Sequence, residues 1–353
     1  MAVPKLLRAL LTAPGPSGYE SAPSAVWRET ASAFAEVTSD TMGSSVARVR
    51  GSRGGPFLAV LGHIDEIGLI VTHVDEKGFL YFRGVGGWTG EVLRGQRVEL
   101  ITREGRVSGV VAKKGGARRR KRDEQEKPTE LEDLHIDIGA RDRDEARDLV
   151  RPGDIAVIAG EPVELPNRRL ASRALDNRLG AYVALEAARL LADGEGPPGD
   201  VAAVAAVQEE VGDFAGARTT AFALEPQVAL AVDVTDTTDI PGGDPKIAGE
   251  AAVGDGPVIN RGSTVNPKVF ELLVEAAEAE GIGYSVHVST GTTSTDMDAV
   301  HVSRAGLATG LVSIATRYIH TPTELVSLDD VDAAARLVAA FARRLEPGTD
   351  FTR

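Results

Sequence analysis

His63, Glu209, Glu210, Asp233 and His320 each stand just past an apolar run of strand length. Phe57–Leu61 leads into Gly62-His63-Ile64-Asp65-Glu66. Val201–Val207 leads into Gln208-Glu209-Glu210-Val211-Gly212. Val228–Val232 leads into Asp233-Val234-Thr235, and Leu307–Ile314 leads into Arg317-Tyr318-Ile319-His320. Ligands of open α/β sheets sit at the carboxyl ends of the strands. Four polar arrivals at such ends, together with Asp176 at the start of an amphipathic pattern, describe a site for divalent cations or for acid–base chemistry. The chain has no cysteine, so a metal here must be held by histidine, carboxylate or water.

Each residue alone has a plainer reading. A lone histidine is commonly a satisfied core or surface group, a Glu-Glu pair before a helix commonly offsets the helix dipole, and Asp176 suits a helix N-cap. The four similar placements are what favour a site. His63 and Asp65 are two apart in extended chain and face one side, which suits a histidine ligand steadied by a carboxylate. Adjacent carboxylates such as Glu209 and Glu210 point differently, so one can bind metal while the other reaches a water. Asp176, Glu210 and Asp233 would set three negative charges against the four positive charges of two divalent ions, leaving room for a hydroxide.

The elements that must position these groups are legible as pattern. Leu6, Leu7, Leu10 and Leu11 recur at helical spacing until Pro14-Gly15-Pro16-Ser17-Gly18 breaks the run, and a second helix is expected over Ala22–Ala35. From Gly68 to Leu165 the style changes to short alternating segments punctuated by glycine (Leu69–Val74, Phe79–Arg83, Arg97–Ile101, Arg106–Val111, Asp154–Ala159), which reads as a small β-barrel or sandwich. After Asn167 the α/β style returns, with Leu179, Tyr182, Val183, Leu190 and Leu191 on the core side of a helix. Asn266-Pro267 opens another helix, and Asp329–Leu345 forms a final amphipathic one. The expected architecture is an α/β domain over 1–67 and 166–353, built on a mixed sheet and interrupted by a β-barrel inserted at 68–165. Within the insert, Gly115–Glu132 carries the basic stretch Arg118–Arg122 and reads as an exposed loop or a partner contact.

Composition narrows the partners. With 39 Lys plus Arg against 52 Asp plus Glu the formal charge is −13, which argues against nucleic-acid binding. No stretch approaches the roughly 18 apolar residues of a membrane span, and nothing resembles a signal peptide, so a cytoplasmic setting is expected. Ser17 does not sit in a G-x-S-x-G elbow and there is no H-E-x-x-H. The glycines of Gly84–Gly90 read as a hairpin, and His73, His135, His287 and His301 read as structural or exposed.

The motifs Gly15–Glu20 (G-P-S-G-Y-E), Gly62–Gly68 (G-H-I-D-E-I-G), Ala174–Gly180 (A-L-D-N-R-L-G), Gln208–Gly212 (Q-E-E-V-G), Asp233–Thr235 (D-V-T) and Arg317–Glu324 (R-Y-I-H-T-P-T-E) together make the chain resemble the tetrahedral and glutamyl aminopeptidases, a family of dinuclear metallopeptidases. The resemblance runs in order over nearly the whole chain. It implies two divalent ions per subunit, zinc first and cobalt or manganese as alternatives. His63 and Asp233 would hold one ion and Glu210 and His320 the other, with Asp176 bridging. It further implies Glu209 as general base, Asp65 orienting His63, and the inserted barrel serving homo-oligomeric assembly, commonly a tetrahedral dodecamer. Substrates would be peptides with a free N-terminus. Thr293–Ala299 and Ala315 depart from the family's pattern and bear on the substrate pocket. The competing readings are a dinuclear deacylase or carboxypeptidase, a glycoside hydrolase, which needs no histidine ligands, and a non-catalytic scaffold.

Overall fold

The computed structural model describes residues 2–115 and 128–353, so the basic stretch Arg118–Arg122 lies outside the described residues. The described residues form an eight-stranded mixed sheet, a closed barrel of six strands and a three-stranded sheet. The large sheet runs Glu36–Ser39, Ser45–Val49, Val201–Ala206, Leu58–His63, Val228–Asp236, Ala308–Thr316, Val258–Gly262, Ser285–Ser289. Its middle four strands are parallel. These are the expected apolar runs, and their continuity reflects burial on both faces. Leu58 and Val60 enter one core with the helices Leu175–Ala192 and Leu328–Arg343. Ala59 and Leu61 enter a second core with the helix Ala215–Leu224 on the opposite face.

Two glycines set how closely the first layer approaches. A Cβ on Gly62 would stand 2.1 Å from the carbonyl carbon of Gly180, and one on Gly180 would stand 2.2 Å from the oxygen of Val232. The helix Leu175–Ala192 therefore meets the sheet at backbone distance, one residue before His63 and one before Asp233.

The barrel consists of Gly68–Val74, Leu80–Val85, Leu134–Asp137, Gly105–Lys113, Arg97–Thr102 and Ile155–Ile158, in that order around its circumference. Leu69, Val71, Leu80, Val98, Leu100 and Ile136 fill its interior, the alternation expected when one face of each strand is buried. The three-stranded sheet pairs Val163–Leu165 with Arg169–Ser172 and the latter with Glu324–Ser327, setting Ser172 opposite Glu324. The helix expected from Asn266 spans Pro267–Ala279, and the Asn266 side chain caps it by accepting from the N–H of Lys268 and Val269. Among the described residues no helix is long and apolar enough to cross a membrane.

Candidate metal centre

His63 ends its strand and Asp233 lies six residues into Val228–Asp236, on the neighbouring parallel strand. Glu209 and Glu210 follow Val201–Ala206 through Gln208, whose φ of 58° turns the chain. His320 follows Ala308–Thr316 through a loop in which Tyr318 and His320 itself hold positive φ. Asp176 falls in the first turn of Leu175–Ala192, but its ψ of 109° is not helical, the Asp176–Asn177 peptide is cis, and it is Asn177 whose side chain caps the helix, its Oδ1 accepting from the N–H of Gly180 at 2.8 Å. Asp176 is thus not a cap. Its carboxylate turns out of the helix toward both histidines.

His63 Nε2 lies 3.2 Å from Asp176 Oδ1, 3.7 Å from Glu209 Oε2 and 4.0 Å from Asp233 Oδ1. His320 Nε2 lies 3.4 Å from Asp176 Oδ2 and 3.3 Å from Glu210 Oε2. Asp176 thereby offers one oxygen to each histidine. Two groupings of side chains close enough to share a cation, His63–Asp176–Asp233 and Asp176–Glu210–His320, have that aspartate in common. Glu210 Oε1 is buried with no hydrogen-bond partner, an atom for which the described protein supplies no donor. The donor set is all oxygen and imidazole nitrogen, which suits zinc, cobalt or manganese.

Burial pushes the Glu209 carboxyl up to about 10, with Asp233, Asp296 and Glu210 adding to it against the pull of His63. Burial likewise raises Glu210 and Asp233. Asp176 and Glu210 hold the His320 imidazolium up to about 11. Burial would lower His63, but Glu209, Asp176 and Asp65 raise it well above its usual value. Protein alone can hold so many buried carboxylates together only by sharing protons among them. Divalent cations would replace those protons, so the residues fit the ions that the resemblance implies.

A surrounding layer holds these groups in place. Asp65 is fully buried, with Oδ1 3.5 Å from His63 Nδ1. It accepts hydrogen bonds from Ser17 Oγ at 2.5 Å and from the N–H of Glu209 and Glu210 at 3.2 and 3.1 Å. One carboxylate thus hydrogen-bonds the Glu209-Glu210 turn and sets its charge beside the His63 ring, whose Nδ1 has no hydrogen-bond partner. Glu324 accepts from the N–H of Asp176 and of His320, both at 3.1 Å, and so links one shared ligand to the second histidine. Glu66 pairs with the buried Arg173 and Arg178. Arg178 also donates to the carbonyls of Leu10 and Ala13, bracing the first helix. Arg317 does not brace the metal groups. It is held in a two-pronged pair by Asp239.

The seven residues singled out from sequence, His63, Asp65, Asp176, Glu209, Glu210, Asp233 and His320, come together here. Sequence reasoning missed Glu66, Glu324 and Asp296, and it misread Gly84–Gly90. That segment is not a hairpin. After Leu80–Val85 the chain bends and enters the short helix Gly90–Leu93. Gly86 packs against Ile67 and Glu210, and Gly87 against the His320 ring. His287, read as structural or exposed, is half-buried with its Nδ1 3.2 Å from Thr235 Oγ1. The groups open into a cleft of 510 Å³, lined further by Phe214, Thr235, Asp236, Ile319 and Thr293–Thr295. The sequence departure at Thr293–Ala299 therefore does reach the pocket wall.

The profile of the M42 glutamyl aminopeptidases matches residues 43–337. A lysyl aminopeptidase of Pyrococcus furiosus is 35% identical over 354 residues, covering 99% of each chain. Among solved structures, a TET aminopeptidase from a marine sediment Thaumarchaeota archaeon aligns with a TM-score of 0.90 at 36% identity over 97% of both chains. The TET1 peptidase of Pyrococcus horikoshii, described as assembling into a tetrahedron or a large octahedral shell, aligns with a TM-score of 0.85 at 30% identity over 97% of this chain and 99% of that one.

Proposed function

The chain belongs to the M42 glutamyl aminopeptidase family and is a peptide hydrolase, and we propose that it removes the N-terminal residue of peptides with two divalent cations held at the sheet edge. The observation that carries this reading is Asp176, with one carboxylate oxygen toward His63 and the other toward His320. His63 and Asp233 would complete one position and Glu210 and His320 the other. Cations bound there would polarise the scissile carbonyl and make water acidic enough to attack at neutral pH.

The chain's own groups supply the rest. Glu209 Oε2 takes the proton of the attacking water and returns it to the departing amine. Asp65, through its contact with His63 and its two backbone donors, fixes that ligand and the base relative to each other. The carboxylate-rich cleft attracts the free ammonium of the substrate. Among the described residues neither lysine nor arginine lines it, and none of them there grips a free carboxylate, which disfavours the carboxypeptidase reading. Chelation should abolish activity, and zinc, cobalt or manganese should restore it. N-acetylated peptides cleaved as fast as free ones would overturn the aminopeptidase reading.

The barrel carries none of the proposed ligands and exposes Val110 on its surface. We assign it to assembly of a homo-oligomer larger than a dimer, and the shell-forming P. horikoshii relative supports that assignment. Light scattering that found a stable monomer at micromolar concentration would end it. A cage of this kind would admit short peptides and keep the activity safe within a cytoplasm.

A further inference from the structure

Asp236 is the acidic group in the cleft that the metal centre leaves unused. It ends the strand Val228–Asp236, three residues and roughly 10 Å along the strand from Asp233. It lines the same cleft as the proposed ligands and is exposed to it. If His63, Asp176, Glu210, Asp233 and His320 hold cations and Glu209 serves as base, their charge is spent within the centre. The carboxylate of Asp236 then remains as the net charge of the cleft wall.

No ion pair offsets it among the described residues. Arg317 follows Thr316, the strand partner of Asp236, but its guanidinium is occupied by Asp239 at 2.6 and 3.1 Å. His287 is the neighbouring base, and burial lowers its pKa, so its ring is neutral at physiological pH and contributes a contact to Thr235 instead of a charge. Of the other lining residues outside the centre, Thr235, Thr293, Ser294, Thr295, Phe214 and Ile319 carry a hydroxyl or are apolar. Such a wall offers an unbranched aliphatic stem something to lie on and its terminal cation a single partner. An acidic side chain in the same place would meet a like charge, with no cation among the described lining residues to answer it.

We propose that Asp236 determines specificity, selecting peptides whose first residue carries a cationic side chain, lysine or arginine, over those that begin with glutamate or aspartate. This rests on the aminopeptidase reading and names the substrate class for that same site. The test compares kcat/KM for lysyl, arginyl, leucyl and glutamyl chromogenic substrates on the metal-loaded protein, with Asp236→Asn and Asp236→Lys alongside.

The intact protein should favour lysyl and arginyl over glutamyl substrates by at least about five-fold, the scale of a solvent-screened ion pair. Asp236→Asn should lower the lysyl-to-leucyl ratio by a similar factor. Asp236→Lys should invert the lysyl-to-glutamyl order. Equal rates for lysyl and glutamyl substrates, or a ratio untouched by Asp236→Asn, would overturn the proposal. Calorimetric binding of lysinamide and norleucinamide separates the two layers of the argument. Tighter binding of lysinamide by a protein that cleaves none of the aminoacyl substrates would support the pocket and sink the aminopeptidase reading. Cleavage without any charge preference would do the reverse.

Discussion

Between Gly68 and Leu165, Thr129 is the buried polar residue among those described, whereas the sheet lobe buries His63, Asp65, Asp176, Glu209, Asp296 and Asp330, among others. Both regions have an apolar interior, so hydrophobic burial by itself does not set them apart. Removing ionisable groups from water is costly unless they are paired or bind a cation. The barrel avoids that cost altogether, and its stability is a matter of side-chain packing. The sheet lobe concentrates the cost at the carboxyl ends of four strands, where the groups offset one another incompletely. Such under-compensated sites are where function is expected. The regions meet at Gly86 and Gly87, where the barrel's chain touches Glu210 and His320.

The sharpest way to press this contrast is within the lobe itself. Glu209→Gln should lower kcat by roughly 10²–10⁴-fold, the usual worth of a general base, while metal content stays at two ions. Loss of an ion, read by plasma emission, would exchange the roles of Glu209 and Glu210. Next in size, Asp176→Ala should deplete both cation positions and His320→Ala mainly one. An Asp176→Ala protein that keeps both ions would remove the shared ligand from the scheme.

The junction offers a middle-sized effect. A Cβ at Gly87 would lie 3.1 Å from His320 Nδ1, so Gly87→Ala must displace the imidazole slightly. It should cost roughly ten-fold in kcat/KM with unchanged melting. Gly160→Ala, where the added atom meets nothing within 4 Å, is the control. Equal effects at the two positions would mean that the barrel does not shape the site.

The smallest effect separates the regions by pH. Burial pushes the Asp330 carboxyl up to about 6 from 3.8, although the N–H of Gly254 and Gly256 pull it down. A raised folded-state value means that the stabilisation is complete below about pH 4 and is lost as pH rises through 6, a change on the order of 2–3 kcal/mol. Hydrogen exchange at pH 4 and 7, compared with Asp330→Asn, should show that loss in the sheet lobe and not in the barrel. Equal changes in both would mean that they open as one unit.

Much of this was legible in the sequence because it repeats at short range. Continuous apolar runs mark strands buried on both faces, alternation marks the barrel, and a histidine or carboxylate just past a run marks the sheet edge. What was not legible depends on residues brought together from far apart. Glu66 and Arg173 are separated by 107 positions, and no local spacing announces their pairing. Glu324 lay inside a recognised motif, yet its role comes from the register that sets it opposite Ser172. Asp296 has neither oxygen partnered and lies near enough to His63 and Asp65 to feel both charges, a proximity that no local spacing announces. Gly84–Gly90 looked like a turn because glycine signals flexibility and close approach with the same letter.

The contact between Gly62 and Gly180 has a genetic consequence. Any base change in the first or second position of a glycine codon installs a side chain or a stop, and only the third position is silent. At these two sites a single methyl group would wedge the helix from the sheet and carry Asp176 away from His63. Drift in the gene should therefore be confined there to synonymous substitutions, even in lineages where the charged residues themselves have begun to vary.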